Sequence, residues 1–206
     1  VWIATDVGLA RYDSYSIRRY AYRRDQPGSL SAGLVTFLFE DSRQNLWIGT
    51  TAGLNLYDRV RDNFRQFQPQ PGDDNSLAGS WVNSIREDTA GNLWVVTNGN
   101  CLNRKAPGSS HFKRFPFDSL TFTTYPMRNR NMDFDSKGRI WLAGAGEGLF
   151  RFDPQTEKFE RFVSFCLDQE DVYLVMCGDK GTFLDWCSPF PGFKMASVHE
   201  VKPIRG

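Results

Sequence analysis

The sequence predicts an all-β chain assembled from repeated four-stranded antiparallel units. Three observations predict it. A tryptophan-centred motif returns at a nearly constant interval. Short apolar and aromatic runs alternate with turn residues throughout, with 18 Gly and 10 Pro spread along the chain. Aromatic residues (17 Phe, 7 Tyr and 6 Trp) make up 15% of the 206 residues.

The motif is the first element of the unit. Val1-Trp2-Ile3-Ala4-Thr5 returns as Leu46-Trp47-Ile48-Gly49-Thr50, as Leu93-Trp94-Val95-Val96-Thr97 and as Ile140-Trp141-Leu142-Ala143-Gly144. Trp2, Trp47, Trp94 and Trp141 are thus 45, 47 and 47 residues apart. A Gly-Leu turn and a second strand follow: Gly8 to Asp13, Gly53 to Asp58 and Gly148 to Asp153. The third copy departs from this, reading Asn100-Cys101-Leu102-Asn103-Arg104-Lys105. A strand with two aromatic or apolar anchors comes next, at Ile17–Tyr20, Phe64–Phe67, Phe112–Phe115 and Phe159–Phe162. Ahead of each later tryptophan lies a further run, Val35 to Asp41, Val82 to Asp88 and Asn129 to Asp135. Each of these ends in an acid and a four-residue connection suited to a tight hairpin.

A period of about 47 residues therefore holds four strands and four turns. That is the size of one β-propeller blade, near 40–50 residues. A lone blade cannot bury both faces, so neighbours must stack and share a core. The four tryptophans are expected to fill the space between adjacent blades. Asp41, Asp88 and Asp135 repeat strictly, whereas one active site seldom needs identical groups in every blade. They are expected to accept backbone N–H bonds in their turns. Arg18-Arg19 and Arg23-Arg24 read as solvated strand edges that deter pairing.

The organisation expected is a partial propeller, roughly four blades of a larger one. Residues 1–33 are a partial first blade (its second to fourth strands) with a linker. Blades follow at 34–80, 81–128 and 129–163, and 164–206 is a degenerate blade or irregular tail. In that last segment Val172–Gly178 looks like a degraded tryptophan strand, and Pro189, Pro191 and Pro203 interrupt any repeat. The chain starts at Val1 inside the motif, so it reads as cut from a longer parent.

Charge and motifs exclude several classes. Lys and Arg total 25 against 24 Asp and Glu, which leaves no electrostatic footprint for nucleic acid. No apolar run nears the roughly 18 residues that span a bilayer, so a membrane enters only through missing parts of the parent. Cys101, Cys166, Cys177 and Cys187 lack CxxC spacing, and only His111 and His199 could join them. Buried thiols are the expectation, and a disulfide among Cys166, Cys177 and Cys187 stays open for an oxidising compartment. No metal and no cofactor are expected, and neither a GxSxG elbow, an HExxH pair nor a phosphate-binding glycine loop is present.

The string Glu40-Asp41 … Asn45-Leu46-Trp47-Ile48-Gly49-Thr50-Thr51-Ala52-Gly53-Leu54 resembles the two-component regulator propeller repeat. Glu87-Asp88-Thr89-Ala90-Gly91-Asn92-Leu93-Trp94 resembles it again, and Gly28-Ser29-Leu30 and Asn75-Ser76-Leu77 match its linker between blades. The resemblance covers about residues 1–162. It implies the sensor region of a bacterial hybrid histidine kinase or related receptor, periplasmic or otherwise extracytoplasmic and anchored in the inner membrane. It also implies paired subunits, hence a homodimer, and a carbohydrate or other small-molecule ligand. The output domain of such a parent would be a histidine kinase or a diguanylate cyclase.

In a propeller the innermost strands line a central channel, here Val35–Glu40, Val82–Glu87 and Asn129–Phe134. Leu34, Trp81 and Arg128 stand at their entrances, followed by Thr36, Asn83 and Arg130. These positions vary in character while the framework stays fixed, as loops that carry recognition do on a rigid scaffold. The candidate ligand-binding residues are therefore Trp81, Asn83, Arg128, Arg130 and Thr36. Trp81 suits a sugar face, and the arginines suit a carboxylate or sulfate. The leading function is a non-catalytic ligand sensor. A propeller enzyme similar to streptogramin lyases and a protein-interaction scaffold are the alternatives.

Overall fold

The computed structural model describes residues 1–98, 101–116, 131–144 and 148–163. These residues form strands and turns only, and the chain divides into two units, Val1–Thr121 and Phe122–Gly206. The first unit holds three antiparallel sheets. The first has three strands, β1 (Trp2–Thr5), β2 (Gly8–Tyr12) and β3 (Ile17–Tyr20), in the order β1-β2-β3. The second is a four-stranded meander of β4 (Val35–Glu40), β5 (Leu46–Thr50), β6 (Gly53–Asp58) and β7 (Asn63–Phe67). The third repeats it with β8 (Val82–Glu87), β9 (Leu93–Thr97), β10 (Cys101–Lys105) and β11 (Phe112–Pro116). The second unit contains one sheet of the same design, β12 (Asn131–Phe134), β13 (Ile140–Gly144), β14 (Gly148–Asp153) and β15 (Lys158–Val163). Four-stranded antiparallel sheets repeating along the chain make this an all-β protein of propeller blades. The expected inner strand at Asn129 is described from Asn131 onward, and Val172–Gly178 lies outside the described residues.

The hairpin glycine is a steric requirement. Gly53 has φ +140°, and a Cβ there would stand 2.5 Å from the Phe67 carbonyl oxygen. In the third copy Cys101 takes that place opposite Thr97, and three residues rather than two separate the strands.

Two of the tryptophans, Trp2 and Trp47, sit between sheets of the first unit, as stacking demands. Trp2 packs against a core made by Leu9, Tyr20, Leu30, Val35, Leu46, Ile48, Tyr57 and Phe64, from the first two sheets and the linker between them. Trp47 joins Phe67, Leu77, Val82, Ile85 and Phe112, from the second and third sheets and their linker. Full burial of such a side chain is worth about 1.5–3 kcal/mol, so these shared cores, more than any ladder within one sheet, hold the blades together. Trp94 is fully buried and stacks on Phe115 at 5.6 Å.

Side chains also bind the two linkers of the described residues, those ahead of β4 and β8, to the sheet that follows. Asn55 and Asn103, both fully buried, accept the backbone N–H groups of Ser31 and Ala78 at 2.9 Å each. Their amides donate back to the Ile48 and Val95 carbonyls at 3.2 and 3.1 Å. Gln66 donates to the Ser29 carbonyl, and Arg114 donates to the carbonyls of Asp73, Ser76 and Leu77. Backbone bonds from Phe64 to Gly28 and from Phe112 to Asn75 complete the tie.

Polar pairing differs between the two interfaces of the first unit. Between the first and second sheets, Tyr20 and Tyr57 donate to Asp62 at 2.7 and 2.5 Å, and Arg18 forms an ion pair with the same carboxylate. Arg18 is therefore not merely a solvated edge residue; the reach of its guanidinium across to the next blade is invisible from its own strand. The bond from Tyr57 is the chief reason the Asp62 carboxyl lies below its ordinary range.

At the next interface Lys105 stands where Tyr57 stands. Its ammonium lies 5.2 Å from the Trp47 ring centre and 5.9 Å from that of Phe67, in a buried position. Desolvation, helped by nearby Arg65, depresses its pKa below the ordinary lysine value. The unfolded chain thus holds this proton to higher pH than the folded one, so the penalty on folding is fully present below the folded pKa. It fades as pH rises from the folded to the unfolded pKa. Lys105→Met is expected to gain about 1 kcal/mol at neutral pH, by analogy with other buried charges replaced by apolar groups. Urea unfolding at several pH values should show that gain shrinking toward the lysine range.

Candidate functional site

The entrances of β4 and β8 are shaped by bulges. The register of β4 against β5 skips between Val35 and Phe37, and that of β8 against β9 skips between Val82 and Ser84. Thr36 and Asn83 are the extra residues, which re-aims their side chains out of the strand alternation. The Thr36 hydroxyl donates to the Val82 carbonyl of the next blade at 2.6 Å. This bond brings Thr36 to the Trp81–Asn83 segment. Packing there is close: a Cβ on Gly49 would lie 2.7 Å from Cγ1 of Val82.

Asn83 occupies the equivalent place one blade on, with a different outcome. Its Nδ2 is buried without a hydrogen-bond partner among the described residues, and so is Oγ of its neighbour Ser84. Buried polar groups are seldom left so, since each costs about 1–3 kcal/mol when unmade. Just before β8, the Trp81 backbone is fixed by Asn98, whose Oδ1 accepts its N–H at 3.1 Å and whose N–H donates to its carbonyl at 3.0 Å. The Trp81 side chain stays partly exposed. A shallow cavity of about 520 Å³ opens beside this turn, with Ala52, Gln68, Pro69, Ser80 and Asn98 among its walls, though Trp81 is not one of them. Arg128 and Arg130 lie outside the described residues.

The repeated acids are occupied in holding their hairpins. Asp41 accepts the N–H groups of Arg43 and Asn45 at 3.0 and 2.8 Å, and Asp88 accepts those of Ala90 and Asn92 at 3.0 and 2.8 Å. Asp135 accepts those of Lys137 and Arg139, both at 3.0 Å. Each also takes an indole N–H six residues on: Trp47 at 2.9 Å, Trp94 at 2.8 Å and Trp141 at 3.0 Å. That second duty is not part of the turn reading, although the constant Asp-to-Trp spacing signals it. Burial pushes the Asp41 and Asp135 carboxyls up, but the bonds from the tryptophans and the turn outweigh it and hold both below the ordinary range. Cys101 is buried and free, and burial pushes its thiol up to about 11, away from nucleophilic use at neutral pH. The other cysteines and His199 lie outside the described residues. His111 is exposed just ahead of β11.

The linker, inner strand, hairpin and tryptophan strand thus form one bonded set. Residues 29–52 and 76–99, which span that set twice, match the two component regulator propeller family. Two segments of the chain therefore match two component regulator propeller repeats. No curated protein matches it. Two solved structures from B. thetaiotaomicron share its fold, both named as extracellular domains of hybrid two component systems. That of BT3049 is 22% identical with a TM-score of 0.67, over 79% of this chain and 23% of that one. That of BT4673 is 22% identical with a TM-score of 0.60, over 78% and 23%. The chain therefore spans about a quarter of the length of these two propeller-containing domains.

Proposed function

We propose that this chain is part of the non-catalytic ligand-sensing region of a bacterial two-component receptor, on the extracytoplasmic side of the inner membrane. The regulator propeller repeats and the two neighbours named as extracellular domains support this reading. The ligand is a carbohydrate or another small molecule held at the inner-strand entrances by Trp81, Asn83, Thr36, Arg128 and Arg130. One observation carries the placement: beside partly exposed Trp81, the buried amide of Asn83 and hydroxyl of Ser84 have no hydrogen-bond partner among the described residues.

An aromatic face next to unspent donors suits a polyhydroxylated ring, whose C–H face stacks and whose hydroxyls accept. Binding would act on the receptor through its differential affinity for two conformations, in a paired assembly. The test is calorimetric titration with a panel of oligosaccharides. Trp81→Ala combined with Arg130→Ala is expected to weaken any binding by at least about thirtyfold, the size of an aromatic hot spot. Equal affinity in the double variant would move the site elsewhere.

A further inference from the structure

The two sheet interfaces of the first unit are built from the same positions, filled differently. Between the first and second sheets one carboxylate, Asp62, collects Arg18 and the hydroxyls of Tyr20 and Tyr57. Between the second and third sheets the corresponding positions hold Arg65, Phe67 and Lys105. Tyr12, Tyr57 and Phe152 keep the lysine's position aromatic in the other three copies, so Lys105 departs from the repeat. The turn after it, 106–111, has the length of turn 58–63 but contains no carboxylate, and Ser110 stands at the place of Asp62.

Cations gather at this interface without an acceptor. Lys105 is only 8% exposed, and no oxygen of the described residues accepts a hydrogen bond from its ammonium, which lies over the rings of Trp47 and Phe67. The Arg65 guanidinium lies 4.9 Å from the centre of the same Phe67 ring. Burial is the first cause that depresses the Lys105 pKa, followed by Arg65 and, against the opposing pull of Asp41, by Arg43. Both arginines are therefore within electrostatic reach of the ammonium, and neither has an ion-pair partner among the described residues. The two carboxylates at hand are already taken. Asp41 accepts from Arg43 N–H, Asn45 N–H, the Asn45 amide and the Trp47 indole. Glu87 accepts the N–H of Ser42 on one oxygen and its hydroxyl on the other, at 2.7 and 2.9 Å. A buried charge with no counter-charge is costly to hold, so this gap in the pairing points to a partner from outside the chain.

We propose that Lys105, Arg65 and Arg43 bind a phosphate or sulfate group at the edge of the interface between the second and third sheets. The anion takes the part that Asp62 plays one interface earlier. Three cations, two of them guanidinium forks, suit a doubly charged tetrahedral oxyanion better than a single carboxylate. Lys105 is level with Leu93 and Glu87, at the opposite end of the third sheet from Trp81 and Asn83, so this site is separate from the inner-strand entrances.

The test is thermal unfolding of the full chain in sodium sulfate or sodium phosphate against sodium chloride of equal ionic strength. At about 10 mM, either oxyanion is expected to raise the midpoint by at least about 2 °C over chloride. Lys105→Met keeps the apolar contact with Trp47 and Phe67 and is expected to fold, yet should lose that rise. Arg65→Gln should lose more than half of it, whereas Arg18→Gln, at the other interface, should keep it. Glucose 6-phosphate separates the two sources of the group. A Lys105-dependent rise equal to that from inorganic phosphate assigns the site to esters as well, and no rise assigns it to the free ion. Two results overturn the proposal: an equal midpoint in chloride, or an undiminished rise in Lys105→Met.

Discussion

Asp88→Ala is expected to destabilise the first unit by about 3 kcal/mol, the cost of losing charged hydrogen bonds and orphaning a buried donor. The carboxylate serves Ala90 N–H, Asn92 N–H, the Asn92 amide and the Trp94 indole at once. Trp94 is fully buried, so its N–H has no route to water when the acceptor goes. Asp88→Asn keeps an acceptor oxygen and should fall between alanine and the parent. Trp94→Phe removes the other end of the same bond, and the pair should be non-additive by about 1 kcal/mol in a double-mutant cycle. Urea unfolding followed by circular dichroism measures the parent and the four variants; strict additivity would show that Asp88 acts through its turn alone.

Asn103→Ala is expected to cost a similar amount, about 3 kcal/mol, as lost bonds plus a small cavity. The side chain is fully buried and holds the Ala78 N–H, while its amide reaches Val95, Thr97 and Cys101. The effect should be local as well as global. Exchange of the Ala78 amide should accelerate, and proteases should cut the 68–80 segment sooner. Asn55→Ala should do the same to Ser31 in the preceding linker.

The blades were legible because the repeat samples the same physics several times. A period carrying Gly-Leu, Trp and Asp at fixed phase leaves one antiparallel meander able to use them all, and the strands fall where that phase puts them. The indole bond was legible only in part. Aspartate in a hairpin has a sufficient local explanation, and nothing in the turn itself points six residues on. Asn55 and Asn103 were hidden for another reason. Ala10 and Phe150 hold the same position in the first and fourth sheets, so the asparagines do not repeat throughout. Their partner is also a linker distant in sequence.

The rim was less legible still. Thr36 and Asn83 are aligned by the repeat, yet one hydroxyl is committed to Val82 and the other side chain's amide is unspent. Periodicity marks such positions as equivalent and cannot say that their bonding differs. Lys105 shows the same limit: a charged residue at a tyrosine's place looks like surface until the neighbouring sheet is seen to cover it.

The bonds from Asn55, Gln66, Asn103 and Arg114 to their linkers give the chain a grammar of inheritance. Both connecting segments of the described residues, those ahead of β4 and β8, are clasped by the meander downstream of them, so the smallest self-consistent cassette opens with its own leader and closes after its outermost strand. A gene duplication, or a chimera spliced at Phe67–Gln68, would carry both halves of every clasp together. A seam placed at Ser80–Trp81 would separate Asn103 and Arg114 from the segment they were selected to grip.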